Sequence, residues 1–125
     1  IAYCFAEVEG YSKFGSYTGN GSSDGVFLYC GFKPAWLLVK RTNTAANWHL
    51  VDSVRSPYNL VNTILLPDLS DQEATYSNGG VDFVSNGVKI RSTGQAFNNS
   101  GDNYIFIAFS ENPFGGSGVS PATAR

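Results

Sequence analysis

The chain has no methionine, a single histidine and two cysteines, and only 14% of its 125 residues are charged. Each shortage removes something. His49, the lone histidine, has no Ser or Cys partner signature near it, so a catalytic dyad is not supported and the residue reads as structural. Eight basic against ten acidic residues give a net charge of −2 with no basic block, which argues against nucleic acid as a partner. No apolar run approaches the length of a membrane span, so membrane insertion is not expected, and no signal-peptide pattern is present. The glycine-rich run Thr18–Gly21 lacks the lysine and the following helix of a phosphate loop. With Ile1 first and no Met, the chain reads as a processed product, a fragment or one segment of a longer polypeptide. Cys4 and Cys30 sit in apolar strand-like runs. They read as two buried, reduced thiols, with a disulfide between them as the alternative in an oxidising compartment.

What fills the gap is Gly, Asn, Ser and Thr, a polar surface commoner in secreted adhesins and virion proteins than in cytosolic enzymes. The organising stretch is Pro34 to Asp52. Trp36, Leu38 and Lys40 alternate with Leu37, Val39 and Arg41, and Trp48, Leu50 and Asp52 alternate with His49 and Val51. The polar stretch 42–47 makes these two runs an antiparallel hairpin with a wide loop. It holds both tryptophans, each able to bury about 200 Å², and is expected to centre the core.

In chain order, Ile1–Val8 reads as a strand buried on both faces, Gly10–Tyr17 as a connector, and Thr18–Gly25 as a loop. Val26–Phe32 is a strand stopped before Pro34. Ser53–Asn62 is irregular, and Thr63–Leu66 is a short strand closed by Pro67. Ser70 to Glu73 fits a capping box, so one helical turn is expected over Ser70–Ala74. Val81–Ile90 reads as a hairpin turning at Asn86-Gly87, with Gly87 at positive φ. Asn98–Asn103 is a turn, and Tyr104–Phe109 a doubly apolar strand suited to the middle of a sheet. The spacing predicts an all-β fold, an antiparallel, jelly-roll-like β-sandwich in one domain over 1–114, with a Gly/Ser/Pro tail over 115–125.

The first and last strand-like runs echo each other. Ile1, Phe5 and Glu7 match Ile105, Phe109 and Glu111, at an offset of 105 − 1 = 104 residues. Chance similarity of two apolar strands is one explanation. The other makes residues 1–8 the closing strand of a preceding module. The run IAYCFAEVEGYSKFGSYTGNGSSDG, then GFKPAWLLVKRT, SVRSPYNLVN, VDFVSNGVKIR and NNSGDNYIFIAFSENPF, resembles a domain of unknown function from structural proteins of tailed, often marine, bacteriophages. That domain occurs in large tail or spike proteins, beside lectin-like modules and sometimes in tandem. The resemblance covers the chain to Phe114 and departs from the family at Cys30, where a small polar residue is expected. It implies a virion or extracellular component, in the tail, its fibres or spikes, or a head decoration. It implies no enzymatic residues.

The residues leave few chemical candidates. Asp68, Asp71 and Glu73 cluster around a turn and offer oxygens to Ca²⁺, although capping already explains two of them and no cofactor is expected. Asp24, Asp82 and Glu7 are too dispersed to read as a glycosidase pair, and Lys40, Arg41 and Arg55 form at most a small basic patch. Three functions follow in order. The first is a non-enzymatic structural domain whose partners are other virion subunits or copies of itself. The second is a carbohydrate-binding, lectin-like module for host-surface glycan, stacking sugars on Tyr11, Phe14, Tyr17, Tyr58 and Tyr76. The third is a tailspike-type polysaccharide depolymerase.

Overall fold

Three antiparallel sheets organise the chain in the computed structural model, which describes residues 1–115, 117 and 118. The expected tail falls almost wholly outside the described residues. Nine strands run in the order β1 (Ser12–Thr18), β2 (Phe27–Tyr29), β3 (Pro34–Arg41), β4 (Trp48–Asp52), β5 (Thr63–Ile64), β6 (Ala74–Thr75), β7 (Val81–Val84), β8 (Gly87–Ile90) and β9 (Asn103–Ser110). A four-stranded sheet has the order β1-β9-β3-β4, a three-stranded sheet β2-β8-β7, and β5 pairs with β6. Isolated bridges tie Leu50 to Leu65 and Val61 to Val81, so the segment 61–75 spans the edges of the two larger sheets.

The period of two in each strand sorts the side chains. On the inner face of the four-stranded sheet lie Tyr17, Tyr104, Phe106, Ala108, Leu37, Val39 and Val51, all buried. Leu28, Val81, Phe83, Val88 and Ile90 oppose them from the three-stranded sheet in the same core cluster, and Phe32 and Phe97 join from loops. Each such side chain contributes about 1.5–3 kcal/mol on burial. The Tyr17 and Tyr104 rings stack at 5.0 Å, and their hydroxyls donate to the carbonyls of Phe97 and Gln95 at 2.7 and 2.8 Å. The all-β, antiparallel sandwich is therefore observed, and β9 is central as its two apolar faces suggest.

Several expectations are corrected. Ile1–Glu7 joins no strand and is exposed, with Cys4 at its surface; the strand begins at Ser12, inside the stretch read as a connector. Cys30 is buried, and both thiols are free. The tryptophans are only half-buried, because the face that enters the core carries Leu37 and Val39. No helix occurs among the described residues, and where the helical turn was expected β6 pairs with β5 instead.

In the 81–90 hairpin Val84 pairs with Gly87, so the tip is Ser85-Asn86 and Gly87 is the first residue of β8, outside the left-handed region. The glycine is needed for another reason. A Cβ there would overlap the Leu28 carbonyl oxygen, because β2 crosses directly against it.

Two buried polar residues hold the loops. Asn98 is fully buried; its amide nitrogen donates to Asn20 Oδ1, Ser22 O and Ser92 O at 2.8, 2.8 and 2.9 Å, and its oxygen accepts from the Asn20 backbone N–H at 2.9 Å. This fastens the polar loop after β1 to the loop before β9. Asp102 accepts from Asn43 and Asn99 at 2.8 and 2.6 Å and lies 2.9 Å from Arg41 Nε. The two amides, with Arg41 behind them, hold its carboxyl below the usual carboxylate range.

Candidate functional site

The outer face of the four-stranded sheet also carries a run of apolar side chains. The register aligns Phe14 with Ile107, Ile107 with Leu38, and Leu38 with Leu50; Phe109 aligns with Trp36, and Ile105 with Lys40, which in turn faces Trp48. β9 is responsible, since Ile105, Ile107 and Phe109 alternate with the core residues of the same strand. Phe109 is the hub. Its ring centroid lies 5.3 Å from Trp36, 5.9 Å from Tyr11, 6.2 Å from Phe14 and 6.3 Å from Phe5. Phe114 continues the cluster against Tyr11 at 6.3 Å. Among the described residues no second layer covers this face, so its apolar side chains are half-buried or exposed, Phe5 and Phe114 most of all.

Beside Trp36 the face dips into a groove of about 480 Å³, bounded by Leu50, Leu65, Val54, Arg55 and Glu111. Asp52 forms its floor. Its carboxylate accepts from the backbone N–H groups of Val54 and Arg55 at 3.0 and 2.8 Å and pairs with the Arg55 guanidinium, whose Nε also reaches Glu73 at 2.7 Å.

The five aromatic residues suggested by the sequence do not converge. Tyr11 and Phe14 meet the outer cluster through Phe109. Tyr17 is a core residue, and burial followed by the neighbouring Tyr104 pushes its hydroxyl pKa well up. Tyr76 is half-buried edge-on to Phe97 at 5.7 Å, and its hydroxyl accepts from the Ala96 N–H at 3.3 Å, bracing a loop. Tyr58 is exposed at a separate cavity of about 230 Å³ beside Lys33 and Asn59. The five therefore share no single surface: the register turns Tyr17 inward, and Tyr58 and Tyr76 lie on loops outside the four-stranded sheet. The residues missed are Trp36, Ile105, Ile107 and Phe109. For the three β9 residues the signal is the double apolarity of 104–109, which suits a central strand but does not say what covers its second face; for Trp36 it is the alternation of 34–41.

The acidic candidates also separate. Asp68 accepts from the Trp48 N–H at 3.2 Å, Glu73 binds Arg55, and Asp71 stands exposed. Among the described residues no three His, Cys, Asp or Glu side chains are grouped to hold a metal ion. Asp24, Asp82 and Glu7 each face a cation, Lys89 at 2.9 Å, Arg91 at 2.8 Å and Lys13 at 2.6 Å. His49 points inward against Phe97 at 5.8 Å, and burial lowers its pKa against the opposing pull of Asp68. Burial pushes the Cys30 thiol up to about 12.

The fold and this surface define an all-β domain with a closed core and one apolar sheet face open to solvent. By sequence, the chain belongs to the family described as Domain of unknown function (DUF7483), whose model matches residues 1–113. No curated protein and no solved structure gives a significant match.

Proposed function

We propose that this chain is a non-enzymatic structural domain of a phage virion, in the tail, its fibres or spikes, or a head decoration. It acts by holding neighbouring subunits through the outer face of the four-stranded sheet. The observation that carries the assembly role is the aromatic surface centred on Phe109, continued by Trp36, Leu38, Ile105 and Ile107. Aromatic and aliphatic groups gathered on one face, with Lys40 and the groove-floor Asp52 as its charged members and Arg55 and Glu73 beside it, have the make-up of a protein interface. The phage setting rests on the ordered motifs described above.

The test is the mass of the full chain in solution, measured by light scattering and sedimentation at about 0.1 mM, where an association with a Kd of about 1 µM would be complete. The chain is expected to associate. Ile105→Lys should return it to monomer without changing its melting temperature, since Ile105 is 39% exposed and outside the core. A wild-type monomer at that concentration refutes self-assembly through this face.

A second reading, attachment to host glycan, is favoured by the groove itself, where an indole borders Arg55 and Glu111. Binding on a glycan array that Trp36→Ala abolishes supports it, and no binding to any glycan refutes it.

A further inference from the structure

Two open edges in this molecule match each other. β1 is the last strand of the four-stranded sheet, and among the described residues its one partner strand is β9, apart from the isolated bridge of Ser12 to Val8. The Ser12 backbone N–H donates to Val8 O at 2.9 Å, away from β9, whereas the neighbouring Tyr11 carbonyl accepts from the Ser110 N–H of β9 at 3.0 Å. By the alternation of an antiparallel ladder, the N–H and C=O groups of Ser16 and Thr18 point the same way as the Ser12 N–H, into solvent. The other open edge is the segment Ile1–Glu7. It belongs to no strand and exposes Ile1, Tyr3 and Phe5 by 114%, 83% and 62%. Apolar residues and an unpaired edge together are an unstable combination in water.

The register in which these edges fit is already set. Val8 bridges Ser12, and Glu7 meets Lys13 at 2.6 Å. Continued outward, that register places Ala6 opposite Phe14, Phe5 opposite Gly15, Cys4 opposite Ser16 and Ala2 opposite Thr18. It keeps opposite charges together and sets an aromatic ring across from a glycine, the pairing that covers a missing side chain. Within one chain it stops at Glu7 because side chains occupy the next ladder positions. Ser12 Oγ donates to Ala6 O at 3.1 Å and accepts from the Val8 N–H at 3.0 Å, and the Phe5 ring lies 5.8 Å from that of Phe14. All of this follows from the tight turn Glu9-Gly10-Tyr11, where Gly10 is at φ +75° and the N–H groups of Tyr11 and Ser12 share Val8 O.

We infer that two copies of the chain exchange Ile1–Glu7, each laying the segment along the open edge of β1 in the other copy, in the register that Val8 and Ser12 already display. Opening the Glu9–Tyr11 turn releases the two backbone hydrogen bonds on Val8 O together with the Ser12 side-chain bonds to Val8 and Ala6 and the Lys13–Glu7 pair, and exchange re-forms the Val8–Ser12 pairing between copies. The two-fold axis then passes through Gly10, which pairs with Gly10 of the second copy, where the absent side chain leaves the strands free to cross. Each four-stranded sheet gains a fifth strand, and Phe5 leaves the Phe109 cluster, opening that face to further subunits. The inference rests on the assembly reading and specifies one contact in it.

Cys4 is exposed and therefore reports on the register. Opposite residues of an antiparallel pair have Cα atoms about 4.5–5.5 Å apart, within disulfide reach. Full-length Ser16→Cys, oxidised with glutathione disulfide, should therefore form a covalent dimer on a non-reducing gel, and Ser16→Cys combined with Cys4→Ser should not. Buried Cys30, with its raised pKa, does not compete. Thr18→Cys should crosslink poorly, because a diagonal neighbour lies about 7–8 Å away. Unchanged circular dichroism of each variant confirms folding. A disulfide within one chain, or equal crosslinking at both positions, overturns the exchange. If light scattering still gives an oligomer, the assembly reading survives that failure; a monomer without crosslinks removes both.

Discussion

Replacing Asn98 by Ala should detach the loop after β1 from the body of the fold. The side chain is fully buried; its two amide hydrogens are shared among three oxygens and its own oxygen accepts one hydrogen bond. Asn20 and Ser22 are exposed residues, so their freed groups regain water. Ser92 is fully buried, and its carbonyl is left without that donor. One buried orphan costs about 1–3 kcal/mol, and the net loss of the bonds that rehydrate adds about 1 kcal/mol. The expected loss is thus about 3 kcal/mol out of a total near 5–15 kcal/mol. It would lower the urea midpoint at unchanged m-value, and hydrogen exchange at Gly21 and Gly25 should accelerate before the β9 amides do. Asn98→Asp keeps the shape and the acceptor for the Asn20 N–H but sets a carboxylate against the oxygens of Asn20, Ser22 and Ser92, so it should cost at least as much. A loss under about 1 kcal/mol for Asn98→Ala refutes the view that this residue holds the loop.

The other expectations concern the two sheets. Gly87→Ala should destabilise by about 2 kcal/mol or more, against the usual small gain of Ala over Gly in a strand, because the new Cβ meets the Leu28 carbonyl; a neutral or stabilising result in urea unfolding removes the close crossing of β2. Leu37→Ala should cost about 2–5 kcal/mol, and Trp36→Ala less than Leu37→Ala despite the larger ring, since Leu37 is fully buried and Trp36 half-exposed; a larger loss at Trp36 places the indole in the core.

Local periodicity made part of this fold legible. The hairpin of Pro34 to Asp52 and the strand Tyr104–Phe109 were readable because alternation and length depend only on neighbouring residues. The choice between the faces of β3 was not. Both Trp36-Leu38 and Leu37-Val39 are apolar, and the outcome follows from which side the three-stranded sheet occupies. Asn86-Gly87 misled for a similar reason. It carries the preference of a two-residue turn, yet the pairing of Val84 with Gly87 moves the tip back by one residue, and Gly87 answers a steric demand from β2, a strand nearly sixty residues earlier. The helical turn expected from Ser70 to Glu73 lost to β5–β6 pairing and to the Glu73–Arg55 contact, both non-local. The outer aromatic face suffered the opposite error. Its residues were visible, but double apolarity states only that both sides of a strand avoid water, not that one chain supplies both covers.

Ile1–Glu7 and Ile105–Glu111 make that distinction concrete. The two runs share Ile, Phe and Glu at corresponding positions and would be read alike by any local rule. One has β1 and β3 on either side and forms the centre of a sheet; the other has the Ser12 side chain in its ladder positions and forms no strand. The difference lies in what neighbours are available. β9 is paired along both edges inside the chain, so the strand contributes to stability. In Ile1–Glu7 the same pattern leaves apolar side chains in water, which disfavours the isolated chain and favours any state that supplies an edge. The strand β1 supplies one in matching register, and within a single chain the tight turn at Gly10 obstructs its use. A segment with strand character, an open edge in register and an obstructed route between them together favour a partner copy, and they tie the least satisfied part of the fold to the surface on which the assembly reading rests.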